Sequence, residues 1–425
     1  MEPTRSLTLD EIDLSDMAFW SRPLDEREGA FLTLREEDPI RFFEEPELMV
    51  LPQGPGYFSL TRHADVLEAS KQPALFCSGQ GTNIGDMPTE FLEFLGSMIN
   101  MDDPKHARMR RIVSRGFTPR QLDQMKGDVE ATAAGIVDDV IERGEGDFVT
   151  DIAATLPLRI IVDMMGIPRS QERFIFDRTN VILGLGDAEY VPDQTEGGIM
   201  TALLTAAQDL SLLITELAEA RVKDPQDDVT TALVTTEVDG ETLTPAEMAS
   251  FFILLVVAGN ETTRNAISHG LHALTQHPDQ RDRWAADFDG MAPAAVEEIV
   301  RWATPVIHFR RTCTQDGVRI GDHTFDAGDK VVLWYASANR DAAVFDEPFR
   351  FDIGRTPNDH LGFGGPGPHF CLGAHLARRE ITVMFKELFK RMPDLHAVGE
   401  PDRLHSNFIN GIKHLPSAWT PAAAS

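Results

Sequence analysis

The segment from Thr244 to His277 has the pattern of a single helix, and at 1.5 Å per residue it would span roughly 50 Å. Thr244 and Glu247 stand at capping-box spacing, Pro245 falls on the first helical position, and Pro278 ends the run. Its first half, ASFFILLVVAG from Ala249 to Gly259, is apolar on every side and has to run through the interior. A rod of that length commits the rest of the chain to packing around it, and a mainly α fold follows.

In the middle of this apolar rod lies Gly259-Asn260-Glu261-Thr262-Thr263. Glycine weakens a helix and a buried carboxylate is costly, so a sequence that keeps both points to a functional reason. The alternative is structural, an ion pair between Glu261 and Arg264. A second unusual stretch, HLGFGGPGPHFCLGAHLARREI, runs from His360 to Ile381. It is a glycine-rich loop ending in Cys371, followed by a segment of strong helix propensity. A thiol just ahead of a helix N-terminus sits in a field that favours its anion, which attacks electrophiles or holds a metal. A buried, inert cysteine is the plainer alternative.

The chain has 425 residues and 42% hydrophobic content, enough for a large core in one domain spanning residues 1–425. Its N-terminus, up to about residue 45, reads as a polar lead with a helix at Ala30–Glu37, and it has no apolar signal core. The longest apolar run, Phe251 to Ala258, is too short to cross a bilayer, so no membrane span is expected. Three cysteines, Cys77, Cys313 and Cys371, make no disulfide framework, and a cytoplasmic protein is expected. A formal charge of −29 argues against nucleic acid and anionic membranes as partners. One stretch reverses the sign: Lys105 to Lys126 holds seven basic residues against one acid, Asp123.

The remaining elements are read in order. Tyr57–Leu60 suggests a strand, Arg62–Ser70 a helix, and Cys77–Met98 a loop with a short helix at Thr89–Leu95, the kind of irregular segment that forms lids and binding loops. Asp103 and Pro104 open a helix on which His106 and Arg110, four apart, share a face and can reach one anionic group. Helices are expected at Gln121–Arg143 and Thr155–Met165, then a glycine- and acid-rich loop, Gly184–Gly198, expected to roof a substrate channel. Glu298 and Arg301 share a helix face at the spacing of a bidentate pair, and Val306–Arg311 and Val331–Tyr335 read as strands of a small sheet.

Phe363, Gly364, Gly367, His369, Cys371 and Gly373 stand in the order of the haem-binding loop of the cytochromes P-450, which this segment resembles. One departure is visible: Phe363 is eight residues before Cys371, where the family's aromatic is seven before. Ala258, Gly259, Glu261 and Thr262 match the A-G-x-[DE]-T of the same family's oxygen-binding helix. The resemblance covers at least Met98 to Trp419. It implies the cytochrome P-450 fold, with haem b between the long helix and the Cys371 loop.

Several roles are implied by the resemblance. Cys371 is the metal ligand. His106, Arg110 and Arg311 (with Arg310 the alternative) take the propionates, and Phe363, His369, Gly373 and Ala258 complete the cofactor site. Gly259 leaves room for dioxygen, and Glu261 and Thr262 relay protons. Ile99, Leu254, Val306, Ile307 and Phe408 are expected to face substrate. Glu298 and Arg301, joined by Arg350, are expected to stabilise the scaffold. The long matching strings look most like actinobacterial enzymes that hydroxylate methyl-branched lipids and sterol side chains at the terminal carbon. A tailoring hydroxylase of terpenoids or polyketides, a peroxygenase, and a non-catalytic haem sensor are the alternatives. O2, a hydrophobic small molecule, a ferredoxin and its ferredoxin reductase are the expected partners of a monomer. The basic stretch is the expected docking face for the ferredoxin.

Overall fold

The computed structural model describes residues 2–45, 53–87, 89–114, 126–235, 237, 240 and 242–422. Its axis is the helix Pro245–Gln276, capped as the sequence predicts. The Thr244 hydroxyl accepts from the Glu247 N–H at 3.2 Å, and the Glu247 carboxylate accepts from the Thr244 N–H at 2.8 Å. Helices Thr155–Met165, Glu196–Lys223, Phe288–Ala303 and Ala374–Arg391 pack directly against it.

Two hydrophobic cores meet on this rod. One takes its first half, from Met248 to Val256, together with Met109, Ile161, Met165 and Leu210. The other takes its last turns, Ala266, Ile267, Leu271 and Leu274, together with Ile299, Ile381 and Phe385. Gly259 to Asn265 belong to neither core. The polar interruption of the sequence is therefore the seam between two apolar masses, and the cavity described below opens there.

The main sheet has five strands: β1 (Ile40–Phe43), β2 (Tyr57–Leu60), β3 (Phe76–Cys77), β4 (His308–Cys313) and β5 (Lys330–Trp334), in the order β1-β2-β5-β4-β3. Only the β2–β5 pairing is parallel. Arg311 lies opposite Val331 and Arg310 opposite Val332, so the two arginines project from opposite faces of the sheet.

Several expectations change. The N-terminal residues are not a polar lead, because Ile12, Leu14, Phe19 and Trp20 are buried and Trp20 stacks on Trp334 at 5.5 Å. The loop between Leu183 and Glu196 lies against C-terminal residues rather than over the cavity: Lys413 pairs with Asp187 at 3.2 Å and with Glu189 at 2.9 Å. The helix expected at Gln121–Arg143 is found at Lys126–Val140, and residues 121–125 lie outside the described residues. Among the described residues one helix, Glu196–Lys223, is long and apolar enough to cross a membrane. Leu203, Ala206, Ala207, Leu210 and Ile214 on that helix are buried in the fold.

The scaffold clamp differs in one member. Arg301 and Glu298, both fully buried, form a bidentate pair at 2.7 and 2.8 Å. The third arginine is Arg355, whose Nε donates to Glu298 at 3.1 Å. Arg350 contributes only its carbonyl, which accepts from Arg301, while its side chain pairs with Glu347 at the surface.

Candidate active site

An open cavity lies between the central helix and the loop that ends in Cys371. Ala258, Gly259, Thr262 and Thr263 wall one side, and Gly362 to Gly365, Gly367 and His369 to Gly373 the other. The extra residue in the loop is absorbed where the backbone is least hindered. Gly364 has φ +83° and Gly367 φ +155°, and a Cβ on Gly367 would lie 2.6 Å from the Ser70 carbonyl oxygen. The Cys371 N–H still donates to the Phe363 carbonyl at 3.0 Å, and Phe363 still lines the cavity, with the Arg378 guanidinium 4.4 Å above its ring.

Cys371 presents its side chain to this cavity, open to solvent there although protein encloses it otherwise. Burial pushes its thiol above the usual range, and the Gly373 N–H, Arg110 and Arg378 pull the other way without prevailing. Coordination to a metal cation would remove that proton.

The edge of the cavity carries basic groups, and the acid paired with one of them is Asp103, 3.5 Å from His106 Nδ1. Arg110 donates to the Phe370 carbonyl at 2.6 Å, and Arg311, fully enclosed, donates only to the Arg310 carbonyl at 2.8 Å. The His106 ring is buried with Nε2 unpartnered, and burial followed by the neighbouring Arg110 lowers its pKa. His369 stacks near it, ring centres 4.3 Å apart, and burial followed by Arg311 pushes its pKa down to about 3. Two guanidiniums that meet only carbonyls among the described residues, beside His106 and His369, fit a group bearing two carboxylates of its own, as the two propionates of a haem would be. Arg310 is not part of this cluster. It is consumed by the carbonyls of Gln80, Gly81 and Ile84 and by Asp86 on the loop after β3.

The rest of the wall is apolar: Met98, Ile99, Ile161, Met164, Phe251, Leu254, Leu255, Val306 and Phe309. Of the residues expected to face substrate, Ile99, Leu254 and Val306 do so. Ile307 does not, since alternation along an extended chain turns it away from Val306, into a core with Phe31 and Trp334. Phe408 packs on His308 and Phe309, 5.5 and 5.6 Å between ring centres, and stays outside the lining. Met98, Met164, Phe309, Tyr335 and Glu380 also line the cavity, and no sequence motif marks them.

On the central helix, the Thr262 hydroxyl sits at the cavity and donates to the Ala258 carbonyl at 2.7 Å. Glu261 is buried but turned away from the cavity, paired with Arg264 and accepting from Asn265 at 3.1 Å. Its second oxygen, Oε2, has no partner among the described residues, nor do the amide atoms of Asn260. A Cβ on Gly259 would press on the end of the Ile161 side chain at 2.8 Å, so this glycine sets how closely the Thr155–Met165 helix approaches.

The basic stretch is largely occupied within the described residues. Arg108 pairs with Glu247 at 2.7 Å and donates to the Thr242 carbonyl. Arg115 and Arg120 lie outside the described residues.

Residues 172–409 match the family model described as cytochrome P450. The methyl-branched lipid omega-hydroxylase of Mycobacterium tuberculosis is 50% identical over 421 residues, 98% of this chain and 97% of that protein. The steroid C26-monooxygenase of Rhodococcus jostii is 38% identical over 398 residues, covering 92% of this chain and 82% of that one. Among solved structures, a Mycobacterium marinum cytochrome P450 in complex with pseudoionone superposes with a TM-score of 0.92 at 40% identity, over 98% of this chain and all of that one.

Proposed function

The chain belongs to the cytochrome P450 family and is a monooxygenase; from that premise we propose that it hydroxylates the terminal methyl carbon of methyl-branched lipids or sterol side chains. The observation that carries this reading is a single cavity in which Cys371 faces Gly259 and Thr262, two unmatched guanidiniums mark one edge, and the remaining wall is apolar. Haem, taken here as haem b, would be held by the Cys371 thiolate and would supply dioxygen activation and C–H oxidation.

The chain's own part is positional and protonic. Arg110 and Arg311 neutralise the cofactor's carboxylates, with the orphaned His106 Nε2 as a further donor. Ile99, Leu254, Val306 and their neighbours exclude water and hold a hydrocarbon by area rather than by hydrogen bonds. Thr262 offers its hydroxyl at the cavity wall. Glu261 moves a proton toward it through its unpartnered Oε2 once the Arg264 pairing loosens. Electrons come from a redox partner, which we take to be a ferredoxin served by a ferredoxin reductase.

Incubation with the haem-loaded protein, a ferredoxin system and a panel of methyl-branched fatty acids, sterols and cyclic terpenes tests the assignment by product structure. Primary alcohols from branched chain ends are expected. Exclusive attack at ring or internal positions would replace the assignment with a tailoring role.

A further inference from the structure

The N-terminal helix Leu24–Glu37 and the C-terminal strand Asp402–Arg403 approach each other beside His269 and His272 of the central helix, and they do so through like charges. Arg27 is buried, its guanidinium carbon 5.9 Å from the centre of the Trp20 ring. Its Nε has no hydrogen-bond partner among the described residues, and neither has Nη1 of Arg403. Both atoms are closed to solvent. Burial, then the charge on Arg27, lowers the pKa of Arg403 to about 10, so both guanidiniums stay charged at neutral pH. Burial, then Arg403, lowers the pKa of both histidines, and His269 is already engaged with the Asn410 carbonyl at 2.9 Å.

The acids nearby are engaged elsewhere or lie in water. Glu28, buried next to Arg27 in the chain, stands 3.9 Å from Nε of Arg340 and also acts on Arg35. Those two arginines are tied down on the far side of Glu28: Arg340 donates to the carbonyls of Arg301 and Trp302 at 3.0 and 2.8 Å, and Arg35 to the Ser337 hydroxyl at 2.8 Å. Asp341 accepts from the backbone N–H groups of His63 and Ala343. Glu400 has a side chain 86% exposed and lies 3.9 Å from His272, and Asp402 pairs with Lys413 at 3.5 Å. One buried carboxylate thus serves Arg27, Arg35 and Arg340, and among the described residues none bridges Arg27 to Arg403. A guanidinium cannot shed its proton to escape the cost of burial. Two of them side by side, each with an orphaned N–H, are the two halves of an anion site.

We propose that a halide-sized anion binds between Arg27 and Arg403, accepting from Arg27 Nε and Arg403 Nη1, and ties the N-terminal helix to the C-terminal strand. The size follows from the burial: with both donor atoms closed to solvent, a larger organic acid has no room for the rest of its body. Neither arginine lines the cavity at Cys371, so the site is separate from it and independent of the reaction assigned there.

Thermal melts of the haem-loaded protein in sodium chloride and in sodium gluconate, at equal ionic strength, test the site in solution. Gluconate is too large to enter, so chloride is expected to raise the melting temperature by about 1–3 °C more than gluconate does. In Arg27→Met and in Arg403→Gln, each of which removes one of the two opposed charges, that difference should vanish. Crystals of the unmodified, haem-loaded protein soaked in bromide give the position, and an anomalous peak in contact with Arg27 Nε and Arg403 Nη1 is expected. Equal melting of the unmodified protein in the two salts overturns the proposal, as does a water molecule where the anomalous peak should stand. Variants that fold and keep the full chloride difference place the anion elsewhere and overturn it too. A bromide peak without any chloride-specific shift means an adventitious ion only, and likewise overturns it.

Discussion

The backbone N–H of Cys371 donates to the carbonyl of Phe363 at 3.0 Å although one extra residue lies between them, compared with the spacing usual in this family. The loop keeps its closing hydrogen bond by placing the surplus backbone at Gly364 and Gly367, where no side chain interferes. Gly367→Ala is therefore expected to weaken the loop through both the strained φ and the contact with the Ser70 carbonyl, by about 1–3 kcal/mol. Haem retention during gel filtration and the melting temperature check it, and a variant that keeps both would show that the loop can move aside.

The clamp at Glu298 separates two arginines that the sequence does not distinguish. Arg301→Ala takes the bidentate partner from a buried carboxylate and should cost about 3–5 kcal/mol. Arg350→Ala removes an exposed pair with Glu347 and should change stability by no more than about 0.5 kcal/mol. Arg355→Ala is expected between them. Chemical denaturation of the three variants ranks them.

Glu380 makes stability depend on pH in the direction opposite to a salt-bridged acid. Its folded-state pKa of about 8 lies above the ordinary 4.5, so between those values the folded protein binds a proton that the unfolded chain does not. Stability falls as pH rises through that window. Glu380→Gln should melt like the unmodified protein near pH 4.5 and be more stable at pH 8. The gain is a few kcal/mol at most, at about 1.4 kcal/mol for each tenfold difference in proton affinity between the folded and unfolded chain. Parallel thermal melts at the two pH values read it directly.

At Glu261 the expected effect is on rate rather than on folding alone. Thr262→Ala removes the hydroxyl at the cavity wall, and about 10–100-fold less product per electron is expected, the remainder leaving as peroxide. Arg264→Ala leaves Glu261 buried without its main partner, so loss of stability is expected together with slower turnover. Product-to-electron ratios for Thr262→Ala, and thermal melts beside turnover rates for Arg264→Ala, distinguish the two roles.

What the sequence disclosed follows from how local each signal is. The bounds of the central helix were legible because Thr244, Pro245, Glu247 and Pro278 act within a few residues of one another or of a helix end. The cysteine loop was legible because its glycines and its ligand are nearly consecutive. Arg311 could be preferred over Arg310, and strand alternation then explains why only one of two adjacent arginines reaches the cavity. That same alternation keeps Val306 and Ile307 from sharing a pocket, a constraint the sequence already contains. Arg355 was beyond reach because its meeting with Glu298 depends on the path of an irregular segment, which has no period to read. Glu380 was masked by the basic run Arg378-Arg379, which makes that turn look like a solvated surface, although Leu376, Ala377 and Ile381 already outlined the buried face. The burial of Phe19 and Trp20 was likewise hidden among charged neighbours, and became visible only with Trp334 opposite.

The proposed function requires the side chain at position 371 to bind haem as a thiolate. The carbon monoxide difference spectrum of the reduced, haem-loaded protein reads that bond, measured beside Cys371→Ala. The red-shifted Soret band of a thiolate-ligated haem is expected in the unmodified protein, and its loss in the variant. A band that survives in Cys371→Ala, or one that never forms in the unmodified protein, would contradict it.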